Sequence, residues 1–246
     1  MPNIANQLIL KLATLSAILT YFSFKTTSVL AFTLNGNTVQ DITAADIGKS
    51  FTVSFGGQIN GINQEGLSSQ SIFKISGFQT VNKVIDGVTK QVNQVTLDII
   101  LGNTSSSNIL SSRTSALGFN VSNPLLGATI QEIEANTKPL FANASLNSKL
   151  FNGSDANVNL CFSDNNNCRG GKSGGVTNGN SGSFSTSFYV DSSVKKISLS
   201  NFGVRYQSID FANTKTKEDE SGTGYSVEVA PKGSYTWIGS QDSHLW

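Results

Sequence analysis

Residues 158–209 read VNLCFSDNNNCRGGKSGGVTNGNSGSFSTSFYVDSSVKKISLSNFGVRYQSI. Strand-like runs flank a central loop in this stretch, and the rest of the predicted fold is built around them. The first run, residues 158–162, alternates apolar and polar side chains with period two, as a half-buried strand does. In two later strands, mostly apolar side chains share one face, which are Phe184, Thr186, Phe188 and Val190 in one strand and Phe202, Val204 and Tyr206 in the other.

The centre of this stretch is a loop that is bracketed by cysteines and rich in glycine. Cys161 and Cys168 are the only cysteines of the chain and enclose a short polar segment. Residues 169–182 then hold six glycines and a single large apolar side chain, that of Val176. Such a segment has little to bury, so it predicts a surface connection between strands.

The end of the stretch carries the side chains that we single out as a structural motif. On a strand, Arg205 and Gln207 point away from the face that is formed by Phe202, Val204 and Tyr206. We expect both aromatic side chains to fill the core, with the Tyr206 hydroxyl reaching a hydrogen-bond partner. We expect the Arg205 guanidinium, beside Gln207, to pair with an acid or to hold carbonyl groups of the glycine-rich loop. This structural role is favoured over ligand binding.

The N-terminus has the pattern of a secretory signal peptide. Lys11 precedes a mostly apolar run over residues 12–24, and VLA at positions 29–31 predicts cleavage after Ala31. Hydroxyl side chains interrupt the apolar run, which is shorter than the roughly 20 residues of a membrane-spanning helix, and this disfavours a membrane anchor. We therefore predict a signal peptide at residues 1–31 and an exported protein of the cell surface, the extracellular matrix or the medium.

Export also predicts the state of the two cysteines. In an oxidising compartment, two cysteines seven positions apart are expected to form a disulfide, here between Cys161 and Cys168. Because the closed loop is short, the loop-closure entropy amounts to about 2 to 2.5 kcal/mol. The bond should therefore pin one loop without carrying the fold.

The chain before this stretch contains further strand and turn signals. Residues 51–55 alternate apolar and polar side chains, and Asp86-Gly87 between apolar neighbours predicts a hairpin that joins strands at 71–81 and 92–101. We predict an all-β protein, a single two-sheet antiparallel β-sandwich of jelly-roll type with a glycine-rich, disulfide-pinned loop.

Other segments give weaker signals. Residues 102–115 fit a loop or a short helix, residues 128–133 a strand, and residues 136–153 an irregular crossover with apolar plugs. We assign the β-sandwich domain to residues 32–212. Residues 213–246 begin with a run of charged side chains and are assigned to a polar linker and an atypical tail.

The charge balance narrows the class of partner. Lys and Arg number 17 against 16 Asp and Glu, which gives a formal net charge of +1. This balance provides no long-range field to attract nucleic acid or an anionic membrane surface. We expect no nucleic-acid partner and no membrane span in the mature chain, and extracellular polysaccharide or other surface proteins are the partner classes that fit.

Residues suited to catalysis are sparse. The single histidine, His244, is third from the end, so a Ser-His-Asp or Cys-His hydrolase has no well-placed base. Residues 164–167 offer oxygen ligands for calcium but lack the spaced acidic pattern and the closing glutamate of a known calcium loop. We predict no enzymatic activity, no catalytic residue, no cofactor and no metal site. Aspartates at turns and strand ends, where this residue has structural roles, are the candidates for a carboxylate pair: Asp155, Asp164, Asp191 and Asp210.

The order of these motifs resembles the cistern family of cyanobacterial PEP-CTERM proteins. The resemblance is sharpest for Leu-Cys-Phe at 160–162, for Cys168 followed by Gly-Gly and Ser-Gly-Gly, and for NFGVRYQSI at 201–209. It extends over most of the mature chain. What it implies is an exported protein of unknown biochemical role that reaches the cell surface or matrix through exosortase-type sorting.

The chain departs from that family at its C-terminus. Such proteins normally end in Pro-Glu-Pro, an apolar span and a basic tail, whereas residues 229–246 read VAPKGSYTWIGSQDSHLW. No span of roughly 20 apolar residues is present there, so membrane tethering is not implied. One hypothesis is that a frameshift or truncation has replaced the sorting signal, and the alternative is that the tail is native.

These features predict a non-enzymatic module of the cell surface or extracellular matrix. The alternative is a glycan-binding β-sandwich, in which Asn, Gln, Tyr and Trp side chains on one rim would bind sugars. Trp237 and Trp246, the only tryptophans, both lie in the atypical tail, which weakens this alternative. A secreted hydrolase is the third and disfavoured possibility, because it requires a carboxylate pair in a cleft.

Overall fold

The computed structural model describes residues 32–106, 108–131, 139–150, 157–165, 168–170, 173–212 and 219–232. In these residues the protein has thirteen β-strands and one turn of 3-10 helix at Ala44–Asp46. The first seven strands are β1 (Thr33–Asn35), β2 (Thr38–Ile42), β3 (Ser50–Ile59), β4 (Ile62–Ile85), β5 (Val88–Asn103), β6 (Ile109–Val121) and β7 (Gly127–Gln131). The other six are β8 (Asn143–Lys149), β9 (Asn157–Ser163), β10 (Val176–Thr177), β11 (Ser181–Asp191), β12 (Ile197–Phe211) and β13 (Glu220–Pro231). The strands pair antiparallel, so the predicted all-β antiparallel fold is confirmed.

The main strands follow one continuous hydrogen-bonded order, β7-β11-β5-β4-β3-β13-β12-β6-β9-β8. This order folds into two layers, because aromatic rings from β3, β4 and β11 contact rings from β6, β9 and β12. Strand β13 pairs with β3 on one side and with β12 on the other, and so joins the layers. The two layers of the sandwich are therefore parts of one sheet that folds over itself.

A cluster of buried phenylalanine rings fills the space between the layers. The Phe73 ring of β4 lies 5.4 Å from the Phe202 ring of β12 and 5.8 Å from the Phe119 ring of β6, measured between centroids. Further along, the rings of Phe162 and Phe184 are 5.1 Å apart across the same interior. Edge-on and tilted contacts of this kind stabilise a core beyond the area that each ring buries.

The hairpin predicted at Asp86-Gly87 is confirmed. Both residues have positive φ, 52° for Asp86 and 76° for Gly87, as a two-residue type I′ turn requires. Ile85 faces Val88 across the turn, and β4 and β5 then pair along most of their length. The turn sets the pairing register from Ile85 and Val88 as far as Gly77 and Thr96, and a bulge between Ile75 and Gly77 then shifts the register by one residue.

The segment predicted as a linker and tail contains the strand that joins the two layers. We assigned residues 213–246 to a region outside the sandwich, but Glu220–Pro231 forms β13 in the middle of the sheet order. A Cβ atom on Gly224 would lie 2.7 Å from a Val204 methyl carbon and 2.8 Å from the Tyr206 ring. Glycine thus stands where an alternating strand would carry a larger side chain, and the alternation rule misses β13 for that reason.

Two other segments are more regular than predicted. Residues 102–115, expected to form a loop or a short helix, include the start of β6, and β8 lies within the predicted crossover at 136–153. In the first half of β6 several buried side chains are hydroxyls, namely those of Ser112, Thr114 and Ser115, and Thr114 Oγ1 lies 2.7 Å from Ser69 Oγ in a buried hydrogen bond. Hydrogen-bonded hydroxyls can line an interior, so hydrophobic alternation does not mark this strand.

The phenylalanine cluster predicts a large loss of stability for Phe73→Ala. Removing a fully buried ring that contacts both layers should lower the free energy of unfolding by about 3 to 5 kcal/mol. The matched control is Val84→Ala in the same strand, whose side chain is 63% exposed and should change stability by no more than about 0.5 kcal/mol. Urea unfolding curves measure both, and equal losses would contradict this account of the core.

Candidate functional site

The disulfide lies in a small apolar cluster on the outer side of the layer that contains β6 and β9. Leu160 and Phe162 enter the main core, whereas Cys161 between them belongs to the outer cluster. The Cα atoms of Cys161 and Cys168 are 6.1 Å apart, and the predicted disulfide between them is confirmed. The other members of the cluster are Ala116, Leu150 and Val158.

After the disulfide, the chain returns to the edge of β6 that β9 also occupies. Strand β9 pairs with residues 116–119 of β6, and β10 pairs with Arg113 and Thr114. Gly175 makes this return possible, because its φ is 74° and a Cβ atom there would overlap the carbonyl oxygen of Thr114. The backbone of the glycine-rich loop therefore lies directly against β6.

Arg113 of β6 holds this loop in place. Its Nη1 donates to the carbonyl oxygens of Ser173 at 3.1 Å and Gly174 at 2.6 Å. Its Nη2 donates to Gln207 Oε1 at 2.9 Å, and Gln207 Nε2 donates to the Arg169 carbonyl at 3.1 Å. Burial lowers the pKa of Arg113, while the charges of Asp164 and Asp219 raise it. The guanidinium and Gln207 thus form a clamp that fixes the loop at residue 169 and at residues 173–174.

The motif residues lie on the two faces that the sequence predicts. Phe202, Val204 and Tyr206 are buried in the main core, and burial raises the pKa of Tyr206. Among the described residues, the Tyr206 hydroxyl forms no hydrogen bond of normal geometry, although Ser69 is near enough to lower its pKa. The partner that we expected for this hydroxyl is therefore not found in that part of the chain.

Arg205 lies on the face opposite the core-facing side chains, as predicted. Its Nη2 donates to Ser221 Oγ at 3.2 Å, and burial together with the charge of Arg169 lowers its pKa. The loop carbonyls of Ser173 and Gly174 are bound by Arg113, which the sequence reasoning missed. A signal was available, because Arg113 is the only charged residue between Asp98 and Glu132.

The clamp forms the floor of an open groove between the glycine-rich loop and the start of β13. One part of this polar groove has a volume of about 430 Å³ and the other about 400 Å³, and both parts share Arg113 and Ser208. Its lining combines hydroxyl and amide side chains with one guanidinium, the carboxylates of Asp219 and Glu220 and, in the second part, the apolar side chain of Leu110. The first part is also lined by Asn165, Gly170, Gln207 and Ser221. The second part is also lined by Leu110, Ser111, Ser112, Thr177 and Asn178.

The aspartates considered as catalytic candidates make structural hydrogen bonds. Asp210 accepts from the Asp219 amide at 3.0 Å, and Asp164 accepts from the Ala142 amide at 3.2 Å. Asp191 accepts from the amide and the hydroxyl of Ser193, and these bonds lower its pKa. Asp155 and His244 lie outside the described residues, as do Trp237 and Trp246. In the described part, no three His, Cys, Asp or Glu side chains gather into a metal site.

Comparisons of the chain with protein-family models, with curated proteins and with solved structures found no match. Among the residues that the structure describes, no helix is long and apolar enough to cross a membrane. The site is therefore interpreted from its own chemistry, which is that of a polar groove beside a covalently closed loop.

The disulfide predicts a local effect when it is removed. In the Cys161→Ala/Cys168→Ala double variant, the free energy of unfolding should fall by no more than about 2.5 kcal/mol, because the closed loop is short. Amide hydrogen exchange should accelerate first in residues 168–178, while the core strands stay protected. Reductant should reproduce the effect in the unchanged protein and do nothing further to the double variant. A global loss of cooperative unfolding would contradict this local role.

Proposed function

We propose that the protein is an exported, non-enzymatic module of the cell surface or extracellular matrix. The observation that carries this proposal is the disulfide between Cys161 and Cys168, in a chain whose first 31 residues have a signal-peptide pattern. Disulfides form and persist in oxidising compartments and are rare in the cytosol. The bond and the N-terminal pattern are independent observations that support the same location.

The structural hydrogen bonds of the aspartate side chains support a non-enzymatic role. Asp164, Asp191 and Asp210 accept hydrogen bonds that fix turns and neighbouring strands, so their oxygens already serve the fold. The resemblance to the cistern family of PEP-CTERM proteins agrees with a surface or matrix location and stays a prediction. On this proposal the sheet is a stable scaffold that presents polar loops outside the cell.

Cell fractionation with thiol trapping tests the location. The full chain, expressed in a bacterium that secretes proteins, should appear in the envelope, the matrix or the medium, with both cysteines resistant to alkylation until reductant is added. The matched control lacks residues 2–31, so it should stay in the cytoplasm, where its thiols should be alkylated. Intact full-length protein in the cytoplasm with two reactive thiols would contradict the proposal.

A second candidate function is glycan binding, and the polar groove is the observation that favours it. Hydroxyl and amide groups along an open groove can exchange hydrogen bonds with sugar hydroxyls, and the carboxylates of Asp219 and Glu220 can accept stronger, charge-assisted ones. The groove lies on the ordered face of β6 and β12, which limits the entropy that binding would cost. The ligand class would be a neutral or weakly charged polysaccharide.

Glycan binding predicts a specific effect of Glu220→Gln. On an array of neutral and uronic acid-containing polysaccharides, the unchanged protein should bind, and Glu220→Gln should weaken binding by roughly threefold to tenfold because one charge-assisted hydrogen bond becomes neutral. The control is Glu65→Gln, another exposed glutamate outside the groove, which should bind normally. An array without hits, or equal binding by both variants, would remove this candidate.

A further inference from the structure

The N-terminal end of the described chain is held by a buried carboxylate. The main-chain nitrogen of Phe32 donates to Asp46 Oδ1 at 3.0 Å, and the Asp46 side chain has no exposure to solvent. Asp46 Oδ2 accepts from the Thr43 amide at 2.9 Å and from the Thr43 hydroxyl at 3.0 Å, and Lys49 Nζ lies 2.9 Å from Oδ1. The carboxylate is therefore a fixed acceptor that is aimed at residue 32.

The side chain of Phe32 is fixed as well. Its ring meets the Phe51 ring edge-on, with centroids 5.7 Å apart, and it packs against the main core. Residue 32 is thus anchored at two points, by its ring and by its main-chain nitrogen. It is also the first residue after the Val-Leu-Ala pattern at 29–31 that predicts signal-peptide cleavage.

We propose that removal of the signal peptide after Ala31 completes this site by placing the new α-ammonium group of Phe32 in an ion pair with Asp46. In the cleavage, water adds OH to the Ala31 carbonyl carbon and H to the Phe32 nitrogen, and the peptide bond between them breaks. At neutral pH the released amine takes a further proton from solvent. The step needs water and a signal peptidase, so the cellular part of this inference rests on the proposed export.

Cleavage changes the charge of the Phe32 main-chain nitrogen, which faces Asp46. Before cleavage Phe32 offers one neutral N–H, and after cleavage it offers a cation at the same place, which gives a stronger, charge-assisted hydrogen bond. Lys49 already contacts Asp46, but its side chain is 39% exposed and can move into solvent. Lys74 from β4 and Lys232 after β13 line the adjacent cleft together with Phe32 and Lys49, so they are further charged groups near Phe32 in the described part of the chain.

The ion pair gives stability a defined pH dependence. Burial disfavours the Asp46 carboxylate, but hydrogen bonds from Lys49, Thr43 and Phe32 outweigh it and lower the pKa of Asp46, so this group stays ionised above neutrality. An unpaired α-amino group has a pKa of about 7.7 to 8.0, and pairing with a carboxylate raises the pKa in the folded state. The added stability is then fully present below about pH 7.7 and is lost as the pH rises through the raised pKa.

The test compares proteins with defined N-termini. Residues 32–246, beginning at Phe32, should melt about 2 to 4 °C higher at pH 6.5 than residues 31–246, in which the charge is displaced by one residue. The difference should disappear near pH 10 and in the Asp46→Asn background. Equal melting temperatures at pH 6.5, or a difference that persists in Asp46→Asn, would overturn the ion pair.

A second variant keeps the test valid if Asp46→Asn does not fold. Acetylation of the Phe32 amine retains an N–H donor and removes the charge, so it should lower the melting temperature at pH 6.5 and leave it unchanged near pH 10. No effect of acetylation at pH 6.5 would overturn the ion pair. N-terminal sequencing of the exported protein should begin at Phe32, and another first residue would overturn the proposed processing. Cytoplasmic retention of the full chain would instead count against export. It would not bear on the ion pair, because the melting experiment does not depend on export.

Discussion

The arrangement of the loop and the groove on the outer face of β6 and β12 depends on the close approach of the glycine-rich loop backbone to β6. At Gly175 the approach leaves no room for a Cβ atom, so the loop can lie there only with glycine. The Arg113 guanidinium then fixes the loop through the carbonyls of Ser173 and Gly174, and the disulfide closes its start. The polar groove exists because this arrangement holds one of its walls against the sheet.

Local patterns in the sequence predict much of the fold. Asp86-Gly87 identifies its hairpin because only residues that tolerate positive φ fit a type I′ turn. The alternation over residues 202–207 separates the core-facing side chains from Arg205 and Gln207 because side chains on a strand point alternately to opposite faces. The disulfide is predicted from the export signal, because in an oxidising compartment the only two cysteines of the chain have a single possible pairing within it.

Features that depend on contacts between distant segments could not be predicted in this way. Strand β13 needs glycine at position 224 because its backbone lies close to Val204 and Tyr206 of β12. This requirement follows from the pairing of the two strands and not from the local sequence of β13. Arg113 becomes a loop anchor through partners 60 and 61 positions away, and no local pattern contains that information. The polar groove follows from both contacts, because β13 begins at one side of it and the Arg113 clamp forms its floor.

The glycine-rich loop is a structural part of the sheet and not a free excursion. Native-state amide hydrogen exchange tests this role most directly, because the Asn178 amide donates to the Ser112 carbonyl and the Gly179 amide to the Asn103 carbonyl, each at 3.0 Å. In the oxidised protein, the account predicts that both amides exchange at rates comparable to those of neighbouring residues in β6. Exchange at the rate of an unstructured peptide at both positions would contradict it.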